Sequence, residues 1–285
     1  MTSTPEDLTD FCAPGAHAEE AYYPAAPGVS LRVVHFSPAQ SANHPPIVFV
    51  AGWISQLFAW REVLQELTRD FEVFYVETRE KISSRIRGRV GYGVEDIGND
   101  LVALIPKLGV ADKNYLLMGS SLGATAILEC AAKLTPHPLA LVLVAPNAVF
   151  RVPWWGLVLI RPFPPRLYLI FKPFIKWYLR NFRLNIKEDY AQYEKYAHSL
   201  DAADPWKLKK GIFSLAKYAV WDKLVAIHCP VLIVGASKDK LHEPENLRKM
   251  VELLPNARYA DLETNRGTHS RQLVQVVRDF LAKIA

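Results

Sequence analysis

The chain has 285 residues, half of them hydrophobic, which is ample for a large buried core in one α/β domain or in a domain carrying an insertion. Its net charge of +5 is modest, so the distribution of charge matters more than its size. Cys12, Cys130 and Cys229 are odd in number and widely spaced, which sets aside a disulfide framework or a zinc cluster.

Residues 1–20 are polar, acidic and proline-containing. They read as a flexible leader with no basic-then-apolar secretory signal, so a cytoplasmic location is the default expectation. Strands are expected at 20–23 and 30–36, separated by Pro24, Pro27 and Gly28, and a proline-bearing linker follows at 38–46. Residues 47–51 form a continuous apolar run suited to a strand buried on both faces, and they end in Gly52-Trp53. Residues 56–69 place Leu57, Trp60, Val63, Leu64 and Leu67 on one helical face. A strand at 71–76 runs into a polar loop, Glu77 to Ser84, and 94–108 reads as a second amphipathic helix. Further strands are expected at 115–118, 139–145, 230–235 and 257–262, with a closing helix at 270–284. Short apolar strands alternating with amphipathic helices imply a mostly parallel, doubly wound sheet of about eight strands. Residues 148–219 do not alternate in this way. The expected division is therefore a core of 21–147 and 220–285 with an insertion at 148–219.

The stretch Gly119-Ser120-Ser121-Leu122-Gly123 joins an apolar strand to a helix. A strand that turns sharply into a helix brings backbones together, so Gly119 and Gly123 fall where a side chain is unwelcome. Ser121 sits at the strained turn, where its hydroxyl projects clear of the sheet. Ser120 is read as structural. Asp239 and His269 both fall just beyond strand ends, in the order Ser, Asp, His. Asp261 and Glu263 are rival acids near the last strand. His242 is read as a surface residue. No metal-ligand spacing and no phosphate loop are present, so neither a metal nor another cofactor is expected.

With these motifs in this order the chain resembles the α/β-hydrolase superfamily, from about Tyr22 to its end apart from the insertion. The resemblance implies an α/β-hydrolase fold with a helical cap inserted after the sixth strand. It implies Ser121 as nucleophile, His269 as base and Asp239 as the group that orients the base. The backbone N–H groups of Trp53 and Leu122 would form the oxyanion hole. Two departures stand out: Ala51-Gly52 replaces the His-Gly common in the superfamily, and the loop at 77–84 lacks the usual glycines. Serine at the elbow points to acyl chemistry, with lipase- or esterase-like cleavage of a lipophilic carboxylic ester as the leading expectation. Acyltransferases and thioesterases use the same triad, and a non-catalytic binding protein could retain the fold.

The first half of the insertion, residues 151–183, carries seven Arg and Lys and no Asp or Glu, interleaved with Trp, Tyr, Phe and Leu. The basic residues interrupt every apolar run short of the ~20 residues that span a bilayer. Three expectations follow for this stretch, one of them a dimer contact made through the same patch; the other two are caps. It is then either a cap resting on a membrane surface, or an ordinary cap whose aromatics, Trp154, Trp155, Phe163 and Phe171 among them, line the substrate pocket. The expected partner is a small lipophilic acyl substrate and not nucleic acid.

Overall fold

The computed structural model describes residues 7–40, 44–150, 152–184, 186, 190–238 and 244–284. Nine strands form one sheet: β1 (His17–Ala26), β2 (Val29–Ser37), β3 (Ile47–Val50), β4 (Val73–Glu77), β5 (Arg85–Ile86), β6 (Leu116–Ser120), β7 (Ala140–Val144), β8 (Val231–Gly235) and β9 (Ala257–Asp261). Their order is β1-β2-β4-β3-β6-β7-β8-β9, with the two-residue β5 pairing alongside β2. The first three in this order pair antiparallel and the rest are parallel. Strands β3, β4, β6, β7 and β8 are buried along their whole length. That burial on both faces is why they read as unbroken apolar runs.

Side-chain alternation divides the core in two. Val48, Val50, Leu117, Leu141, Leu143 and Ile233 point to one face, where α2 (Val94–Leu104) and α3 (Leu122–Cys130) cover them. Ile47, Phe49, Met118, Val142 and Val234 point to the other, beneath α1 (Arg61–Leu67) and α9 (Arg271–Leu281). The expected helix at 56–69 is split: a 3-10 turn, Leu57–Trp60, precedes α1.

The expected leader is shorter than 20 residues. A 3-10 turn at Leu8–Phe11 buries Phe11 in the second core, and β1 already begins at His17. This is an edge strand, and Glu19 and Glu20 find His35 and Arg32 across the ladder. Residues 1–6 lie outside the described residues.

Because β5 adds a strand, the insertion follows the seventh strand in chain order. It leaves through an antiparallel bridge between Val149 and Ala219, and the Val220 N–H donates to Ala148 O at 3.0 Å. It contains α4 (Trp154–Ile160), α5 (Leu167–Tyr178), α6 (Tyr190–Ala202) and α7 (Pro205–Leu215). Asp204 caps α7 on the N–H groups of Trp206 and Lys207, and Pro205 takes the first helical position, where a missing N–H costs nothing. One more helix, α8 (Pro244–Leu253), lies between β8 and β9.

Candidate active site

Ser121 lies between the end of β6 and the start of α3 with φ 46° and ψ −117°, a conformation that side-chain-bearing residues rarely adopt. Its N–H donates to Val144 O at 2.9 Å, and its carbonyl accepts from Thr125 N–H at 2.9 Å. Both neighbouring glycines are demanded by contact. A Cβ on Gly123 would stand 2.2 Å from Val50 O, and one on Gly119 2.6 Å from Ile127 Cδ1 and 2.8 Å from Ala124 N.

Two loops at the carboxyl ends of parallel strands meet at this turn. Asn147, after β7, donates from Nδ2 to Ser121 Oγ at 2.8 Å. Its own N–H donates to Thr125 Oγ1 at 3.0 Å, so α3 holds the asparagine in place. Gly52, after β3, donates its N–H to Ser120 Oγ at 2.9 Å, and a Cβ there would lie 3.2 Å from Ser121 Cβ. Ser120 is thus the strut that seats Gly52, through its Ala51-Gly52 peptide, beside the elbow. The turn that follows is tight: Ile54 has φ 53°, and Ser55 N–H closes on Gly52 O at 3.1 Å. Leu122 is the first residue of α3 and buried, and first-turn N–H groups have no acceptor within a helix.

His269 ends a 3-10 turn, Gly267–His269, beyond β9. Its ring stacks on Trp60 with centroids 4.1 Å apart, Trp60 Nε1 donates to Ser55 Oγ at 3.0 Å, and so the imidazole and the Gly52–Ser55 turn brace each other. Nδ1 lies 2.9 Å from Asn265 O. A carbonyl only accepts, so this contact places the proton on Nδ1 and leaves a lone pair on Nε2. Asp239 and His242 lie outside the described residues. The rival acids are engaged elsewhere: Asp261 accepts from the N–H groups of Ser237 and Glu263, and Glu263 pairs with Lys238 at 2.6 Å.

Beyond Trp53 and Ile54 opens an apolar cavity of about 430 Å³, walled by the inserted helices. Phe163 and Phe171 line it, together with Leu159, Tyr168, Leu200 and Ile212. Trp154 and Trp155, expected at the pocket, are 75% and 57% exposed and do not line it. They occupy the first turn of α4, and it is the far end of that helix, Leu159 and Ile160, that meets the cavity.

The family model described as the alpha/beta hydrolase family matches residues 47–280. The chain belongs to that family. A curated relative is the pimeloyl-[acyl-carrier protein] methyl ester esterase of Aeromonas hydrophila subsp. hydrophila, 22% identical over 248 residues, which covers 83% of this chain and 95% of that protein. Among solved structures, a thermophilic esterase from Thermogutta terrifontis superposes with a TM-score of 0.75 at 20% identity, covering 94% of this chain and 99% of that one. The enol-lactonase from Burkholderia xenovorans LB400 gives 0.73 at 18% identity, covering 92% and 100%. At these identities the two superpositions establish the fold.

Beneath the Gly52 turn, this α/β-hydrolase buries a set of charges that its sequence presents as a polar loop. Arg79 binds Asp100 of α2 through two hydrogen bonds of 2.6 Å, and Lys81 pairs with Glu80 at 2.8 Å. Lys81 also donates to the carbonyl of Gly52. Lys207 of α7 reaches down to the carbonyls of Lys81 and, at 2.9 Å, Ser84. Burial lowers the pKa of Lys207 below the usual lysine value, against the pull of Asp204 and Glu80. Nothing local in the sequence marks these partners. Asn147 did carry a signal, since it is a polar residue directly after a buried strand adjacent to the elbow strand.

Proposed function

We propose that this α/β-hydrolase cleaves carboxylic esters with a lipophilic acyl or alcohol part, through an acyl-enzyme on Ser121. The observation that carries the reading is the strained turn at Ser121: its hydroxyl is held by Asn147, and it lies against a loop whose next residues wall an apolar cavity. A volume near 430 Å³ falls in the range of small-molecule sites. The relative named as a methyl ester esterase supports ester cleavage.

In this reading His269 accepts the Ser121 proton at Nε2 as Oγ attacks the ester carbonyl carbon. The carbonyl π electrons move to oxygen, and the oxyanion is met by the N–H groups of Leu122 and Trp53, each such donor contributing about 100- to 1000-fold. His269 then gives its proton to the departing alkoxide as the C–O bond breaks. Water, deprotonated by His269, releases the acid and restores Ser121. Asp239 stabilises the imidazolium formed on the way. The inserted helices act as the cap that shapes the pocket.

A series of p-nitrophenyl esters from acetate to laurate tests the substrate class. The expected result is a kcat/KM that climbs with chain length until the cavity is filled. A value that falls steadily from acetate onward would contradict a lipophilic substrate.

A further inference from the structure

Twelve of the nineteen large apolar side chains exposed among the described residues fall within residues 154–182. Trp154 (75%), Ile170 (70%), Phe182 (65%) and Val158 (61%) are the most open of them, followed by Phe174 (60%). Aromatic side chains offer about 150–250 Å² each, so half-exposed rings in this number present on the order of 1,000 Å² of apolar surface. A typical monomer exposes a largest patch of about 300–600 Å². Helix α5 shows why the surface is left over. Tyr168 and Ile175 face the cavity, and Lys172 and Lys176 reach Asp201 of α6 at 3.0 and 2.5 Å. Ile170, Phe174 and Trp177 follow at helical spacing on the remaining side and stay 70%, 60% and 50% exposed.

Charge chooses the occupant. The stretch 151–183 carries seven basic residues and no acid, so the rest of the chain has a net charge of −2 against the total of +5. Arg161, Arg166 and Arg180 are exposed and pair with no carboxylate among the described residues. A second copy of this face would set these arginines against their equivalents, because a twofold interface pairs a patch with itself. An anionic lipid headgroup layer instead accepts the arginines while its acyl region takes the aromatics. No helix among the described residues is long and apolar enough to cross a membrane. The twelve residues of α5 extend about 18 Å, against about 30 Å of hydrocarbon, so the face lies on the bilayer.

We propose that α4 and α5 dock this enzyme on an anionic lipid bilayer, and that its substrate passes from the bilayer into the cavity. Leu159, Phe163 and Phe171 line the cavity and are also 56%, 49% and 53% exposed, so the cavity wall is continuous with the docking face. Docking stands on the patch alone; delivery rests on the esterase reading of Ser121.

The test is co-sedimentation of the full chain with vesicles of phosphatidylcholine, with and without equimolar phosphatidylglycerol. Binding is expected to the anionic vesicles and to weaken as salt is raised. The Arg161→Gln/Arg166→Gln/Arg180→Gln variant should bind on the order of 100-fold more weakly, at about 1 kcal/mol for each cation near the surface. Phe174→Ser/Trp177→Ser should lose binding as well. Both variants are expected to hydrolyse a soluble short ester like the parent but to lose activity on a long-chain ester presented in anionic vesicles. No binding to anionic vesicles at low salt would overturn docking. Patch-dependent dimerisation in sedimentation velocity, with no vesicle binding, would overturn it in favour of a second copy. Vesicle binding by a protein inactive on every ester would overturn delivery and the esterase reading while leaving docking intact.

Discussion

The buried ammonium of Lys81 donates to the carbonyl oxygen of Gly52. That carbonyl belongs to the same peptide group as the N–H of Trp53, one of the two N–H groups proposed to receive the oxyanion. A cation on the oxygen fixes the plane of the peptide and polarises its N–H toward the site. Glu80 neutralises the ammonium at 2.8 Å, and Lys207 ties the same loop to α7. Lys81 is therefore a positioning residue that acts through the peptide.

Removing Lys81 alone would strand the buried Glu80 carboxylate, at a cost of about 3–5 kcal/mol. The paired variant Glu80→Gln/Lys81→Met avoids this. Its kcat on p-nitrophenyl butyrate is expected to fall about 10- to 100-fold with KM within about twofold, because the donor acts in the transition state. Steady-state kinetics checks this; an unchanged kcat in a folded variant would remove Lys81 from the account.

Asn147 holds one lone pair of Ser121 Oγ from 2.8 Å. Accepting from Asn147 does not use the donor role of the hydroxyl, which the proposed mechanism assigns to proton transfer toward His269. Asn147→Ala should lower kcat about fivefold, the equivalent of one hydrogen bond of about 1 kcal/mol, with little change in melting temperature. Burst-phase kinetics should place the loss in acylation.

The elbow is the point least tolerant of added atoms. A Cβ on Gly123 would meet the backbone oxygens of Val50 and Ala51 at 2.2 and 2.8 Å, and neither belongs to a flexible side chain. Gly123→Ala should cost more than about 3 kcal/mol, from overpacking where the backbone cannot yield. Denaturant unfolding would show it as a lowered midpoint or as insoluble protein.

Lys207→Met removes the donor from two buried carbonyls, those of Lys81 and Ser84. Each unsatisfied group costs about 1–3 kcal/mol, offset in part because a desolvated ammonium is also removed. A melting temperature lower by about 4–8 °C is expected, corresponding to about 2 kcal/mol. Trypsin should also cut faster within the insertion, since α7 loses its hold on the core.

The parallel strands and the elbow were legible because their signals are local. Val48 and Val50 alternate with Ile47 and Phe49 inside one apolar run, and Gly119 and Gly123 flank a serine between a strand and a helix. The first strand reads short in the sequence because Glu19 and Glu20 are poor strand formers, and their partners, His35 and Arg32, are 16 and 12 residues away. The segment from Glu77 to Ser84 reads as a polar loop because charged residues are solvated by default. Its burial depends on Asp100, Gly52 and Lys207, which only the fold brings near. Asp239 lies outside the described residues, so its role rests on the order of motifs.

Intact mass spectrometry after treatment with a fluorophosphonate, followed by peptide mapping, tests the proposed nucleophile most directly. The account predicts a single phosphonyl adduct on the peptide carrying Ser121, loss of ester hydrolysis in step with labelling, and neither labelling nor turnover in a folded Ser121→Ala variant. An adduct on another residue, or hydrolysis undiminished in Ser121→Ala, would contradict it.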